Sequence, residues 1–124
     1  MAVQPITYKQ LESIYGHTHL VLWAAMANGD SGAILNMSGS SDRSVHVYGT
    51  FGAGGTVVIE GSNEDPGSTP ANYITLHDPS GSALSFTAAG IKTISEITAN
   101  LRPRVTAGDG TTAIIVAIVA ARVS

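Results

Sequence analysis

The sequence predicts an all-β fold, an antiparallel β-sandwich of jelly-roll type with about eight strands. Three observations lead to this prediction. Val, Ile and Thr are abundant, and their branched side chains favour extended backbone. Fourteen glycines and five prolines divide the 124 residues into short segments. The β-branched segments alternate with turn-forming residues at short spacing, which is typical of sandwiches and barrels.

The predicted elements divide the chain into an arm and one domain. In the arm, residues 1–16, Tyr8, Leu11 and Tyr15 have roughly helical spacing, so one or two amphipathic turns are expected. Residues 17–124 form a single β-sandwich domain. Its predicted strands cover 17–26, 33–37, 43–50, 56–61, 73–77, 83–87, 100–106 and 111–123. The segment 90–97 fits a strand and a helical turn equally well. Residues 107–110 read as a hairpin turn.

Composition excludes several classes of protein. Only 12% of residues are charged and 44% are hydrophobic, which argues against disorder. The net charge of −3 provides no basic surface for nucleic acid or an anionic membrane. The chain has no cysteine, so neither a disulfide framework nor a thiol nucleophile is possible.

No targeting or membrane segment is expected. The first residues lack the basic start and apolar core of a secretory signal. The most apolar stretch, 113–121, is far shorter than the roughly 20 residues of a spanning helix. We therefore expect a soluble chain.

The last predicted strand is apolar on both faces, although an antiparallel sheet in a soluble monomer usually keeps one face polar. Alternation separates two sets of residues. One contains Thr112, Ile114, Val116, Ile118 and Ala120; the other contains Ala113, Ile115, Ala117, Val119 and Ala121. Either the arm covers the outer set or another subunit does. We favour the subunit, with Ile115, Ala117 and Val119 in the interface.

Arg102, Pro103 and Arg104 form a second candidate surface. In a strand the two arginines face the same side, where their guanidiniums could bind carboxylates of a partner. They could equally be ordinary surface charges. Proline cannot donate to a ladder and indicates an edge strand or a bulge.

No pattern predicts catalysis, a cofactor or a metal site. His17 and His19 would share a strand face, but a zinc or copper site needs further ligands that nothing nearby supplies. The acidic run 63–65 lacks the spacing of a calcium loop. The glycines at 52–55 precede a strand rather than a helix, unlike nucleotide loops, and no G-x-S-x-G motif occurs. We therefore expect no enzyme activity.

The order of motifs resembles one family. The stretches are VHVYGTFG at 45–52, TVVIEGSN at 56–63, YITLHDPSG at 73–81, LSFT at 84–87 and LRPRVT followed by GDGTT at 101–112. Together they resemble the capsid decoration, or cement, proteins of tailed bacteriophages. The resemblance covers roughly residues 43–123. The longer loop after Asn63 departs from the family pattern.

The resemblance implies a non-enzymatic virion protein with a jelly-roll-like sandwich. Such a protein binds the capsid exterior, after assembly in the host cytoplasm, and cements neighbouring major capsid subunits. Its expected partners are the major capsid protein and itself, as a homodimer or homotrimer. Tyr8, Leu11 and Tyr15 would contact a neighbour through the arm, and removal of residues 1–15 is expected to weaken capsid binding and leave the fold intact.

Three other functions are compatible with a β-sandwich. A carbohydrate-binding module would need an exposed aromatic platform, for example Trp23, Tyr48 and Tyr73, although Trp23 lies in an apolar run that favours burial. A different head or tail-fibre component is the second. A cupin-like metal enzyme using His17, His19 and another histidine is the least favoured.

Overall fold

The computed structural model of the chain describes residues 2–11, 18–36, 40 and 42–121. Within these ranges there are eleven strands: β1 (Val3–Gln4), β2 (Thr7–Gln10), β3 (Thr18–Met26), β4 (Ser31–Gly32), β5 (Asp42–Thr50), β6 (Thr56–Ser62), β7 (Ile74–Thr75), β8 (Ser85–Phe86), β9 (Gly90–Thr93), β10 (Asn100–Ala107) and β11 (Ala113–Ala121). The helical structure described is a single 3-10 turn, Pro66–Ser68. The described residues thus contain no helix long and apolar enough to cross a membrane.

The strands form two sheets that pack against each other. Sheet A has the order β1–β4–β10–β6–β7, and β8 also pairs with β6. Sheet B has the order β2–β3–β11–β5–β9. Only the short β1–β4 pair is parallel among the described pairs. The all-β sandwich predicted from the sequence is confirmed.

The inner faces of both sheets supply one hydrophobic core. Trp23 in β3, Val47 in β5 and Val116 in β11 are fully buried from sheet B. Ile59 in β6 and Leu101 in β10 oppose them from sheet A and are at most 1% exposed. Strand alternation therefore places the apolar residues as the sequence predicts.

The structure contains more strands than the eight predicted. Several of the additional strands have only two residues and are strands only because they pair with longer neighbours. In the predicted strand 33–37, Leu35 forms a single bridge with Leu101, and β4 lies just before it. For 90–97 the strand alternative is right over Gly90–Thr93. Such short pairs depend on a long-range partner that local sequence does not reveal.

The helical turns predicted for residues 1–16 are wrong over the described residues. β1 pairs with β4 in sheet A, and β2 pairs with β3 in sheet B. The arm is therefore not separable from the sandwich at β1 and β2, and truncation there would remove strands from both sheets. Backbone pairing with existing strands outweighs a weak helical spacing. Tyr15 lies outside the described residues.

Two other local predictions change in the three-dimensional context. β10 is not an edge strand, since it lies between β4 and β6. Toward β4, the amides of Leu101 and Val105 donate to Leu35 and Asp30 carbonyls. Pro103 lies between them, opposite Gly32 of β4, where the missing side chain of the glycine leaves room for the proline ring and the ladder lacks one donor. Residues 107–110 are not a hairpin turn, because they connect β10 in sheet A to β11 in sheet B.

Candidate functional site

The predicted interface residues lie on two opposite surfaces of the sandwich. Ile115, Ala117 and Val119 point outward from β11, because Ile114, Val116 and Ile118 occupy its core face. Arg102 and Arg104 point outward from β10 in sheet A. The three apolar residues of β11 are therefore neighbours, and so are the two arginines of β10. The two groups lie on opposite outer surfaces of the sandwich.

The outer surface of sheet B, here called the apolar face, is built in rows by the strand register. One row contains Thr7, Leu22, Ala117, His46 and Ile91, from β2 to β9. The next contains Lys9, Leu20, Val119, Ser44 and Thr93. Ile115 pairs with Tyr48 one row further along. Apolar side chains therefore occupy β3 and β11 in the middle of the face, and polar ones lie on the flanking strands, where Ile91 is an apolar exception.

The apolar face is only partly covered by its own side chains. Ala117 at its centre is 9% exposed, whereas Ile91 at its margin is 64% exposed. Ile115 and Val119 are half-buried. The described part of the N-terminal segment extends the sheet edges and does not cross this face. Of the two explanations for an apolar outer surface, cover by the arm is therefore not seen in the described residues.

Tyr8 and Leu11 lie near the β2 edge of sheet B. Tyr8 is 55% exposed and Leu11 is 47% exposed. The Leu11 amide donates to the Thr18 carbonyl at 2.9 Å, which continues the pairing of β2 with β3. Both side chains are accessible at the border of sheet B, on a different surface from the two arginines.

The outer surface of sheet A carries an ion cluster, here called the arginine cluster, formed by Arg102, Arg104 and Glu60. Arg102 and Glu60 are directly paired on β10 and β6. The Arg102 Nε donates to Glu60 Oε1 at 2.8 Å. The Arg104 Nε donates to Oε1 at 3.1 Å and Oε2 at 3.2 Å. Both guanidiniums bind a carboxylate of the same chain, and the contact with a partner's carboxylate stays a prediction.

Exposure differs sharply within the arginine cluster. The Glu60 side chain is 4% exposed, while those of Arg102 and Arg104 are 26% and 42% exposed. The carboxylate is therefore covered by the two cations that neutralise it. Sequence reasoning did not identify Glu60, although its alternation with Val57 and Ile59 places it on the outer face of β6.

Tyr73 supports the arginine cluster from the side. Its ring lies under the Arg102 guanidinium, with 3.9 Å between the Arg102 Cζ and the ring centroid. The Tyr73 hydroxyl is buried and has no hydrogen-bond partner among the described residues. Burial raises the pKa of Tyr73, the Arg102 charge opposes that shift, and the charges of Glu60 and Glu64 add to it. The ring thus fixes the plane of one guanidinium.

A third arginine, Arg43, lies inside the sandwich and was not recognised from the sequence. It is 2% exposed, and its Nη2 donates to the Glu96 carbonyl. Burial lowers the pKa of Arg43, and the charge of Glu96 opposes that shift. The signal was available, since Arg43 has the same strand parity as the buried Val45 and Val47.

The described histidines are distributed and do not converge. His19 lies edge-on to Tyr8, and His46 lies against Tyr48 with 4.6 Å between ring centroids. His77 Nδ1 is 2.7 Å from Glu96 Oε2. No group of three potential metal ligands occurs in the described residues. His17 lies outside them, so the pairing of His17 with His19 is not placed.

The glycine-rich loop at 52–55 is occupied by a carboxylate of the same chain. The Ala53 amide donates to Asp109 Oδ2 at 2.9 Å, and Thr111 donates to Oδ1 through its amide and its hydroxyl. A Cβ on Gly52 would approach Asp109 Oδ1 to 2.3 Å. These donors lower the pKa of Asp109 to about 2. The loop is therefore a structural junction with the 107–110 turn.

The acidic run 63–65 is likewise used to build its own loop. Glu64 Oε1 accepts hydrogen bonds from the amides of Ala71 and Asn72. These backbone donors lower the pKa of Glu64. The Asp65 side chain caps the 3-10 turn through the Gly67 amide. The carboxylates serve turn geometry, as expected for a surface loop.

The aromatic platform considered for a carbohydrate-binding module does not form. Trp23 is fully buried, and its Nε1 donates to the Ala33 carbonyl at 3.1 Å. Tyr48 lies on the outer surface of sheet B, whereas Tyr73 stacks on Arg102 of sheet A. The three rings therefore belong to the core and to two opposite surfaces.

Comparison with known proteins identifies a related fold. No protein-family model matches the sequence, and no curated protein matches it. Among solved structures, the chain is similar to the SPBc2 prophage-derived protein YomS, with a TM-score of 0.60 and 9% sequence identity. The similarity covers 88% of this chain and 98% of that one. At this identity the likeness shows that the two chains share a fold, and the structural neighbour is a prophage-derived protein.

Proposed function

We propose that this chain is a non-enzymatic virion structural protein that binds the outside of a phage capsid and cements neighbouring major capsid subunits. The observation that carries the proposal is the apolar face of sheet B, which is additional to the core and lies opposite the arginine cluster. A protein that joins two neighbours needs two separate binding surfaces on a rigid body. This sandwich offers one apolar and one charged surface.

The dimensions of the apolar face fit a second copy of the chain. Three strands of nine residues and two of four, at about 3.4 Å per residue and about 4.8 Å between strands, make a face of about 570 Å². Specific interfaces begin at about 600 Å² on each partner. The small side chain of Ala117 at the centre of the face favours close approach of a second sheet, and we propose that a homodimer or homotrimer uses this face.

Two similarities support the proposal that the protein is a component of a phage particle. The ordered motifs over roughly 43–123 resemble phage decoration proteins, and the fold is shared with a prophage-derived protein over 98% of that protein. We propose the capsid exterior as the location. Repetition of the same contact around a symmetric shell would turn a modest affinity into high avidity.

Binding to shells tests the proposed function directly. Purified protein is added to capsids of its phage assembled without it, and the particles are imaged. We expect stoichiometric occupancy at symmetry-related positions on the outer surface. Absence of binding, or binding to a tail or to the shell interior, would contradict a cementing role.

The self-association step has a separate test. Ile115→Lys combined with Val119→Lys places two charges in the middle of the apolar face without entering the core. We expect the wild-type protein to keep an oligomeric mass on dilution and the variant to be a folded monomer, as measured by light scattering and circular dichroism. Val3→Lys on sheet A, where Val3 is 68% exposed, is the matched control and should remain oligomeric. A monomeric wild type would refute this use of the face.

A further inference from the structure

The arginine cluster carries one unbalanced positive charge. Two guanidiniums share the single carboxylate of Glu60. Glu64, another acidic residue near Tyr73, is bound to the backbone amides of its own loop. The three side chains of the cluster therefore sum to a charge of about +1, which a monoanion would neutralise, while Glu64 remains a separate carboxylate near Tyr73.

The hydrogen bonds to Glu60 use one edge of each guanidinium. Both arginines donate through Nε. In the described residues, no hydrogen bond engages the terminal Nη atoms of Arg102 or Arg104. Each guanidinium has five N–H donors in a plane, so most donors of the pair are unused by the fold. The partial exposure of both side chains makes these donors accessible.

The cluster is held in place before any partner binds. Glu60 anchors both Nε atoms, and the Tyr73 ring stacks on Arg102 at 3.9 Å. Arg102 and Arg104 are two residues apart on β10, so their side chains are neighbours on the same face of the strand. An arginine normally loses considerable side-chain entropy on binding. Here the fold has already restricted that freedom, which favours binding.

We infer that Arg102 and Arg104 form a binding site for a carboxylate group of another polypeptide chain. The two planar donor edges match the planar fork of a carboxylate, and the single excess charge matches its charge. A nucleic acid would require more cations than these two, and the chain has a net charge of −3. The inference goes beyond the proposed function, because the site would take a protein carboxylate whether or not the partner is a capsid protein.

The test follows the arginine side chains by NMR. The chain has four arginines, so their Nε–H signals can be assigned individually. The protein is titrated with a short peptide containing two glutamates, with the same peptide containing glutamines, and with inorganic phosphate at equal ionic strength. We expect saturable shifts of the Arg102 and Arg104 signals with the glutamate peptide alone, or at much lower concentration than with phosphate.

Variants separate this site from general charge attraction. Arg104→Gln should weaken binding of the glutamate peptide about tenfold, the effect of losing a charge-assisted contact. Arg104→Lys retains the charge but not the planar fork and should also weaken binding. Lys9→Gln removes a charge from sheet B and should leave binding unchanged. Circular dichroism and thermal unfolding establish that each variant is folded.

The outcomes are distinct. Absence of saturable shifts, equal shifts with the glutamine peptide, tighter binding of phosphate, or equal weakening by Lys9→Gln would each overturn the inference. Sedimentation of wild type and Arg104→Gln then identifies the source of the carboxylate. Reduced self-association in the variant assigns it to a second copy, and unchanged self-association assigns it to a different polypeptide. Peptide binding without shell binding would refute the capsid proposal alone.

Discussion

At the scale of single residues, buried or bonded carboxylates hold separate parts of the chain together. Asp109 connects the loop after β5 with the turn after β10, through the amides of Ala53 and Thr111. Glu60 connects two arginines on the outer surface of sheet A. In both cases one carboxylate forms hydrogen bonds to residues that are distant in sequence. Its removal should therefore lower the stability of the fold more than removal of an ordinary surface carboxylate.

We predict that Asp109→Ala lowers the melting temperature in a pH-dependent way. The folded-state pKa of Asp109 is about 2, below its ordinary value of 3.8. Its stabilising contribution is therefore present above about pH 4 and is lost as the pH falls toward 2. Thermal unfolding between pH 6 and pH 2 should show a difference from wild type that shrinks at the acid end. Asp42→Ala, at an exposed position, is the control; a pH-independent difference would contradict the prediction.

We predict that Glu60→Gln destabilises the protein by about 1–2 kcal/mol, because it leaves two neighbouring, partly exposed guanidiniums without their shared counter-charge. Urea unfolding of the variant measures this value. Combining Glu60→Gln with Arg104→Gln removes part of the repulsion, so the double variant should be less destabilised than the sum of the two single variants. Additive effects would show that Glu60 does not act through Arg104.

At the scale of elements, the short strands complete both sheets and are supported by buried polar contacts. Asp30 is 5% exposed, and its carboxylate accepts hydrogen bonds from the Ala2 amide and the Gln4 side chain. These bonds join β1 to the segment between β3 and β4. The N-terminal residues thus satisfy a buried acceptor in addition to extending sheet A.

We predict that deletion of residues 1–4 destabilises the fold by about 2 kcal/mol or more, since Asp30 would lose two donors while buried. Chemical unfolding of the shortened chain measures the loss. Val3→Ser retains β1 and should have little effect, because Val3 is largely exposed. Wild-type stability of the shortened chain would contradict the prediction and show that β1 is dispensable.

We predict that Gly32→Ala costs about 1–3 kcal/mol through overpacking. A Cβ at this position in β4 would lie 2.6 Å from Trp23 Nε1 and 2.7 Å from Pro103 Cδ. Gly67→Ala is a suitable control, because its Cβ would make an ordinary contact at 3.5 Å. Equal stability of the two variants, measured by urea unfolding, would mean that Trp23 and Pro103 can move apart without cost.

At the scale of the whole molecule, the sandwich presents two chemically different outer surfaces. The chain crosses repeatedly between the sheets, and neighbours in sequence such as β10 and β11 lie in different sheets. As a result, the arginines of β10 and the apolar residues of β11 face opposite directions. This separation suits a protein that joins one partner to another.

Local pattern was sufficient to predict the longer strands and the direction of their side chains. Alternation in 43–50 identifies Val45 and Val47 as core residues, and the apolar outer residues of β11 are evident from the same rule. The burial of Trp23 is also predictable from its apolar surroundings. These features depend on the spacing of residues that are close together in the chain, and this spacing can be read from the sequence alone.

The features that the sequence did not predict depend on pairing between strands that are distant in the chain. The strand character of β1 and β2, the central position of β10 and the contact of both arginines with Glu60 each require a partner at least nine residues away. Many registers are compatible with the same alternation, and packing of the two sheets selects one of them. The arginine cluster became visible only once β6 and β10 were placed side by side, because its charge balance belongs to the pair of strands rather than to either segment.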